Sequence, residues 1–263
     1  MTIRAEHPVI EAHDLTVSYQ RKPALWGVDF SLPAGVLTGI IGPNGAGKST
    51  LIKAIMGLAH PDSGYVRILG RPIDEVREKV AYVPQRGSVD WDFPASVLDV
   101  VLMGRYRKRG LLRKLHAADK ELAFHCLEKV GMQDFIKRQI SQLSGGQQQR
   151  VFIARALAQQ AEVYLMDEPF AGIDATTEQT IFELLGEMRK EGKSIVVVHH
   201  DLQSAYKYFD WIILLNTQLI GSGPKSDIFI PEFLRKTYGG KLNMLTSVGE
   251  LMAELEAPLR EKN

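Results

Sequence analysis

The stretch that decides the fold is Val36-Leu37-Thr38-Gly39-Ile40-Ile41-Gly42-Pro43-Asn44-Gly45-Ala46-Gly47-Lys48-Ser49-Thr50. Its first six residues are nearly all apolar, as a strand buried on both faces should be. From Gly42 on, every fixed position of the pattern G-x-x-x-x-G-K-[ST] is filled. A helix-like segment, Ser49 to Met56, follows and stops at Gly57. Strand, glycine-rich turn and helix in that order make a cradle for phosphate. Glycines let the backbone come close to phosphate oxygens. Successive N–H groups and the helix start present partial positive charge. Lys48 adds a full charge near the β- and γ-phosphates, and the Ser49 hydroxyl suits Mg²⁺. By itself the loop implies a nucleoside triphosphate site and names no reaction.

Upstream of this loop the chain alternates. Leu15, Val17 and Tyr19 interleave with Thr16 and Ser18, and Val28, Phe30 and Leu32 with Asp29 and Ser31. A period of two predicts antiparallel strands covered on one side. Downstream, Val163–Met166 and Ile195–Val198 are short apolar runs that predict buried parallel strands. Between them, Glu178 to Lys190 has helical spacing in Ile181, Leu184, Leu185 and Met188. Strand, helix, strand implies an α/β fold with a parallel sheet. The middle, Ser88 to Gln160, carries helical runs such as Leu122, Phe124, Leu127 and Val130. It reads as a helical subdomain inserted between sheet strands. The expected organisation is a P-loop NTPase core with an N-terminal antiparallel β subdomain. The core takes residues 1–86 and 162–240, the inserted helices about 87–161, and a tail of 241–263 remains. In that tail Leu251, Leu255 and Leu259 recur every four residues, which predicts an amphipathic helix.

Composition narrows the class. Across 263 residues, 32 Lys+Arg face 31 Asp+Glu, a balance that argues against nucleic acid as a partner. An apolar share of 45% excludes a disordered chain. No run reaches the roughly 18 apolar residues that span a bilayer. The first residues, Met-Thr-Ile-Arg-Ala-Glu-His-Pro, show no signal-peptide pattern. One cysteine, Cys126, allows no internal disulfide and fits a reducing compartment. The run from Arg105 to Lys114, with Arg105, Arg107, Lys108, Arg109, Arg113 and Lys114, reads as a solvated face, with anionic lipid or an acidic partner as the alternative.

A second chemical element ends the run Val163-Tyr164-Leu165-Met166-Asp167-Glu168. Two acids at the tip of a buried strand are costly unless they have partners. Asp167 suits Mg²⁺, directly or through water. Glu168 suits polarising the attacking water, since phosphoryl transfer needs a residue that positions the nucleophile.

Leu143-Ser144-Gly145-Gly146-Gln147 resembles the signature motif of ATP-binding cassette (ABC) ATPases. The family's other marks follow in order over residues 9 to 235. Tyr19 resembles the aromatic that stacks on adenine, although it shares a predicted face with the core residues Leu15 and Val17. Gln85, in Val83-Pro84-Gln85, resembles the Q-loop glutamine, which meets Mg²⁺ or the attacking water. Gly172-Ile173-Asp174 resembles the loop with the interface aspartate. The wider family commonly has Ser-Ala-Leu-Asp where this chain has Ala171-Gly172-Ile173-Asp174, and the Asp is kept. His200, in His199-His200-Asp201, resembles the switch histidine; adjacent strand residues point to opposite faces, which argues against a metal shared by the two, and His199 is left as structural.

The resemblance implies an ATP-hydrolysing subunit with Glu168, His200, Gln85 and Lys48 as its catalytic residues. Tyr19 and Gly42, Pro43, Asn44, Gly45, Ala46, Gly47, Lys48, Ser49 and Thr50 would hold ATP, and Ser49, Gln85 and Asp167 would hold Mg²⁺. Ser144 can also cap a helix that carries Val151, Ala154 and Ala158 on one face, and a helix start is an anion site. In the family two cassettes pack head to tail around two ATP molecules. Ser144, Gly145, Gly146, Gln147 and Asp174 would then serve the nucleotide of a second copy.

An engine without a channel implies a polytopic membrane permease and, indirectly, an external metal-binding protein. It places the chain peripherally on the cytoplasmic face of a cell membrane, in a bacterium. Trp91 and Phe93, apolar residues in the polar loop Asp90-Trp91-Asp92-Phe93-Pro94, suit either core or a docking groove for that permease. Residues 83–94 and 166–172 resemble the manganese/zinc/iron importer branch, with wording that leans to manganese. The rival is a soluble ABC ATPase that serves iron–sulfur cluster assembly.

Overall fold

The computed structural model describes residues 2, 3, 5–109 and 115–239. In chain order its main elements begin with β1 (Pro8–Tyr19), β2 (Lys22–Pro33), β3 (Leu37–Ile41), α1 (Lys48–Ile55), β4 (Ser63–Ile68), α2 (Ile73–Val76) and β5 (Val80–Val83). Three helices and a strand follow: α3 (Val97–Arg109), α4 (Ala117–Lys129), α5 (Gly145–Ala158) and β6 (Val163–Asp167). The chain continues through α6 (Ala175–Lys190), β7 (Ser194–His199), α7 (Leu202–Tyr208), β8 (Trp211–Asn216), β9 (Gln218–Pro224), α8 (Lys225–Ile228) and α9 (Pro231–Tyr238). Residues up to Val76 and from Val196 on form one compact unit, and Arg77–Ile195 form the other.

In the first unit, β2, β1 and β4 make an antiparallel sheet in that order. The pairs Ile10↔Leu32, Ala12↔Phe30 and Leu15↔Val28 set its register. These six side chains are buried, so the expected one-sided alternation holds there. It fails at the end of β1, where Tyr19 is 51% exposed while Leu15 and Val17 are buried. The register shifts along β1 explain this, because each bulge turns the strand. The unit's other strands run β7-β3-β8-β9. β3 is buried along its whole length and pairs in parallel with β8, from Thr38↔Trp211 to Ile41↔Leu214. β8 and β9 form an antiparallel hairpin that turns at Thr217, whose φ is 60°.

The second unit holds the parallel pair β5 and β6, in register from Val80↔Val163 to Val83↔Met166. β6 is entirely buried, as its apolar run predicts, and so is β7, whose residues fall on both sides of the unit boundary. In α6 the buried residues include Ile181, Leu184, Leu185 and Met188, the stripe read from spacing. In α4 the inward positions are Asp119, Ala123, Cys126 and Leu127. Phe124, part of the same helical run, is 41% exposed, because it lies about 100° round the helix from Ala123 at the centre of the buried stripe.

Arg105 corrects the reading of the basic run as a solvated face. It is 7% exposed and is the polar centre of the helical region. Its Nε donates to Asp119 Oδ1 at 3.0 Å, and its Nη1 donates to the Ala158 carbonyl at 2.8 Å and to Gln160 Oε1 at 3.1 Å. One guanidinium thus joins α3, α4 and the end of α5. The side chains from Arg107 to Lys114, and the tail residues Leu251, Leu255 and Leu259, lie outside the described residues. Among the described residues no helix is long and apolar enough to cross a membrane.

A charge pair this deep is expensive to break from one side. Arg105→Ala should cost about 3–5 kcal/mol of stability, because it strips the counter-charge from buried Asp119. Urea unfolding reads this as a lower midpoint at unchanged slope. A loss under about 1 kcal/mol, the range of exposed pairs, would mean the pair is solvated.

Candidate functional site

The phosphate loop lies in the first unit. Its conformation demands glycine where the backbone packs closest. A Cβ at Gly42 would stand 2.0 Å from the Leu215 carbonyl oxygen. Gly47, the N-cap of α1, has φ 93°, and a Cβ there would stand 2.3 Å from the Ala24 oxygen. The Ala46 N–H donates to the Pro43 carbonyl at 3.1 Å and closes the turn. Lys48 folds back over its own loop. Its Nζ donates to the Gly42 carbonyl at 2.8 Å and the Pro43 carbonyl at 3.0 Å, and the residue is 6% exposed. Asn44 and Gly45 at the tip are exposed, and Ser49 and Thr50 are half-buried in the first turn of α1. The result is a concave set of N–H groups with a cation behind it, which is an anion site.

The first unit also holds Tyr19 and the two histidines. Exposed Tyr19 ends β1, just before Gln20 and Arg21, which have φ of 49° and 64°. His199 and His200 divide as strand alternation requires: His199 is 2% exposed and His200 is exposed. Burial, and then the neighbouring His200, push the His199 imidazole down to about 4. Asp201 caps α7, accepting from the Ser204 N–H at 2.7 Å.

The second unit carries the remaining candidates. Asp167 ends β6 at 1% exposure. Glu168 leaves the strand with φ 50°, so the two carboxylates part company at the strand tip. Gln85 Nε2 donates to Glu168 Oε2 at 2.9 Å. The structure thus joins two sequence-predicted residues that lie 83 positions apart. Nearby, burial and then the Asp167 charge push the Tyr82 phenol up to about 12.

Ser144 caps α5 as predicted. Its Oγ accepts from the Gln147 N–H at 3.4 Å, while Gln147 Oε1 accepts from the Ser144 N–H at 2.9 Å. This reciprocal pair is a capping box. Gly146 is obligatory here for space, since a Cβ would stand 2.5 Å from the Gly172 carbonyl oxygen. The signature turn and the loop before Asp174 therefore touch backbone to backbone. Asp174 caps α6, accepting from the Thr177 N–H at 3.0 Å and from the Thr177 hydroxyl at 2.8 Å. These bonds hold its carboxyl below the ordinary carboxylate range. The cap was not read from the sequence, although Asp-x-x-Thr before a helix is its signal.

A family model described as ABC transporter matches residues 25–171. The chain belongs to the ABC transporter family. As such it is an ATP-hydrolysing, nucleotide-binding cassette. It is 58% identical over 236 residues to the manganese transport system ATP-binding protein MntB of Bacillus subtilis, covering 90% of this chain and 94% of that one. It is 53% identical over 241 residues to the zinc transport system ATP-binding protein TroB of Treponema pallidum, covering 92% and 91%. A nucleotide-free ATP-binding cassette from an ABC transporter superposes with a TM-score of 0.74 at 26% identity, over 88% of this chain and 99% of the other. A dimeric cassette bound to ADP and Pi does so with a TM-score of 0.73 at 30% identity, over 82% and 98%. ABC cassettes dimerise and act with membrane permease subunits. Among the described residues no group of three or more His, Cys, Asp or Glu is placed to hold a metal ion.

The buried imidazole makes stability depend on pH. Its folded value lies below the ordinary 6.5, so as pH falls the unfolded chain takes up a proton there first. The stabilisation is complete above pH 6.5 and is lost progressively toward pH 4, amounting to roughly 3 kcal/mol over the window. Urea unfolding at stepped pH, beside an NMR titration of the imidazoles, measures both quantities. A His199 that protonates near pH 6.5 in the folded chain would contradict this.

Proposed function

We propose that this chain energises uptake of a divalent transition-metal ion, manganese foremost, through membrane partner subunits. The carrying observation is its 58% identity, over nearly its whole length, to a manganese transport system ATP-binding protein. The 53% identity to a zinc system keeps zinc within the substrate class. The ion is cargo for the permease and for an external metal-binding protein. The chain works peripherally, on the cytoplasmic face of a bacterial membrane.

The roles of the site residues follow from their chemistry. The loop 42–50 grips the phosphates through backbone N–H groups, and Lys48 neutralises charge at the β- and γ-phosphates. Exposed Tyr19 offers its ring to adenine, and base–aromatic stacking of this kind is worth about 1–3 kcal/mol. Ser49, Gln85 and Asp167 supply a hydroxyl, an amide and a carboxylate oxygen. These are hard donors that suit Mg²⁺, which when bound neutralises developing phosphate charge. Gln85 fits this part because its amide nitrogen is committed to Glu168, which makes its oxygen the atom that would meet a cation or a water.

Glu168 orients and polarises the attacking water, and exposed His200 steadies the γ-phosphate. Ser144, Gly145, Gly146, Gln147 and Asp174 serve the nucleotide of a second copy packed head to tail, so that ATP acts as the dimer's adhesive. The permease docks beside Phe93, which is 42% exposed. Trp91 is committed inward: its ring lies 4.8 Å from that of Phe152.

Glu168→Gln should leave ATP binding intact and slow hydrolysis by about 10²–10⁴, trapping an ATP-bound dimer. Phosphate release beside size-exclusion chromatography tests this. Near-normal turnover would remove Glu168 as the residue that positions water. Cells that lack the protein should lose manganese accumulation more than zinc or iron when each metal is supplied separately. Unchanged uptake of all three would end the import reading.

A further inference from the structure

The segment around Gln85 is fastened to α5 at three points. Arg86 Nε and Nη2 both donate to Gln148 Oε1, at 3.3 and 3.2 Å. Gln148, 4% exposed, spends its own Nε2 on the Ile140 carbonyl at 3.1 Å. Farther along, the Trp91 ring packs on Phe152, and Trp91 Nε1 donates to the Arg86 carbonyl at 2.9 Å. Arg155 lies 4.2 Å over the Phe152 ring and donates from Nη2 to the Tyr82 carbonyl at 3.3 Å. Gln148, Phe152 and Arg155 are spaced four and three residues apart and so share one face of α5. Their partners, Tyr82, Arg86 and Trp91, bracket Gln85 on both sides.

Arg86 reaches farther than a simple tether. A Cβ at Gly145 would stand 2.7 Å from Arg86 Nε, so the guanidinium lies directly on the first residue of the signature helix. A charged donor makes the stronger kind of hydrogen bond, and two from one guanidinium favour one rotamer and one register. We propose that Arg86 is a positioning residue for ATP hydrolysis, which registers the start of α5, and with it Ser144–Gln147, against the segment that carries Gln85. When a nucleotide draws the Gln85 amide away from Glu168, Arg86 carries that shift into the signature turn. The inference rests on the reading that Ser144–Gln147 serve a second copy's nucleotide.

The test uses the full chain in the Glu168→Gln background, with two readouts. One is the ATP concentration for half-maximal dimerisation, by light scattering. The other is the affinity of the monomer for a fluorescent ATP analogue. Adding Arg86→Ala should raise the dimerisation midpoint by about tenfold or more, as loss of a charged hydrogen bond implies. Monomer affinity should stay unchanged, because these hydrogen bonds tie Arg86 to α5 and Trp91. Arg86→Lys should recover part of the loss, and Gln148→Ala added to Arg86→Ala should make it no worse. An unchanged midpoint in Arg86→Ala, or fully additive effects of the two substitutions, would overturn the proposal. So would a parallel fall in monomer affinity, which would mark a general folding defect. Ser144→Asp, which keeps a helix cap but sets a charge against a phosphate, separates the two readings. If it dimerises normally, the signature turn does not serve a second nucleotide, whatever Arg86 does. If it fails while Arg86→Ala does not, only the role of Arg86 falls.

Discussion

A cation kept out of water inside its own loop sets the terms for the nucleotide-binding half of this protein. Lys48 is 6% exposed, and burying an ammonium costs several kcal/mol unless polar groups answer it. The carbonyls of Gly42 and Pro43 answer in part, and they can do so only because the loop curls back over α1. That curl requires Gly42 and Gly47, where any side chain would collide with the carbonyls of Leu215 and Ala24. Those two carbonyls come from β8 and from β2. The position of the charge thus dictates how the strands behind it pack. An anion in front of the loop completes the electrostatics, and the loop needs little reorganisation to receive it.

In the other unit one helix serves two masters. The first turn of α5 begins with a neutral hydroxyl cap and a glycine pair, the features that the proposed reading assigns to an anion. Its next two turns are gripped by the flanks of Gln85 through Gln148, Phe152 and Arg155. A helix is stiff over this length, because each turn is bonded to the last. Displacement of the flanks therefore moves the turn. The backbone contact between Gly146 and Gly172 extends the same body to the loop before Asp174. No long-range pathway is needed, since the chain of contacts is three residues deep.

Much of this was legible in the sequence, and the reasons differ by element. The phosphate loop could be read because its chemistry fixes residue types at fixed spacing. The strands β3, β6 and β7 could be read because burial on both faces leaves only apolar residues. The Ser144 cap and the inward stripe of α6 follow from local periodicity. What escaped was tertiary. Arg105 looked like one more charge in a basic run, and only the fold supplies Asp119, 14 positions on, to bury it against. Tyr19 resembles the adenine-stacking aromatic although its parity matches core residues, and the bulges in β1 that turn it outward have no signal in the alternation. The pairing of Arg86 with Gln148, 62 positions apart, has no local signal at all.

Of the helices that start at residues of the sequence motifs, α5, α6 and α7 have side-chain caps, and these differ. Asp174 and Asp201 are carboxylates that hold their N–H partners at 3.0 and 2.7 Å. Ser144 holds its own at 3.4 Å. A carboxylate at position 144 would cap at least as well, since Asp and Ser rank together at N-caps. It would also cancel the positive end of the helix dipole and repel a phosphate. The hydroxyl satisfies the helix start only loosely and adds no charge. On the proposed reading, a phosphate oxygen then displaces a weak cap rather than a strong one. On that reading, the loose neutral cap at Ser144 leaves its helix start open to an anion, whereas at Asp174 and Asp201 a carboxylate already answers the positive end of the helix.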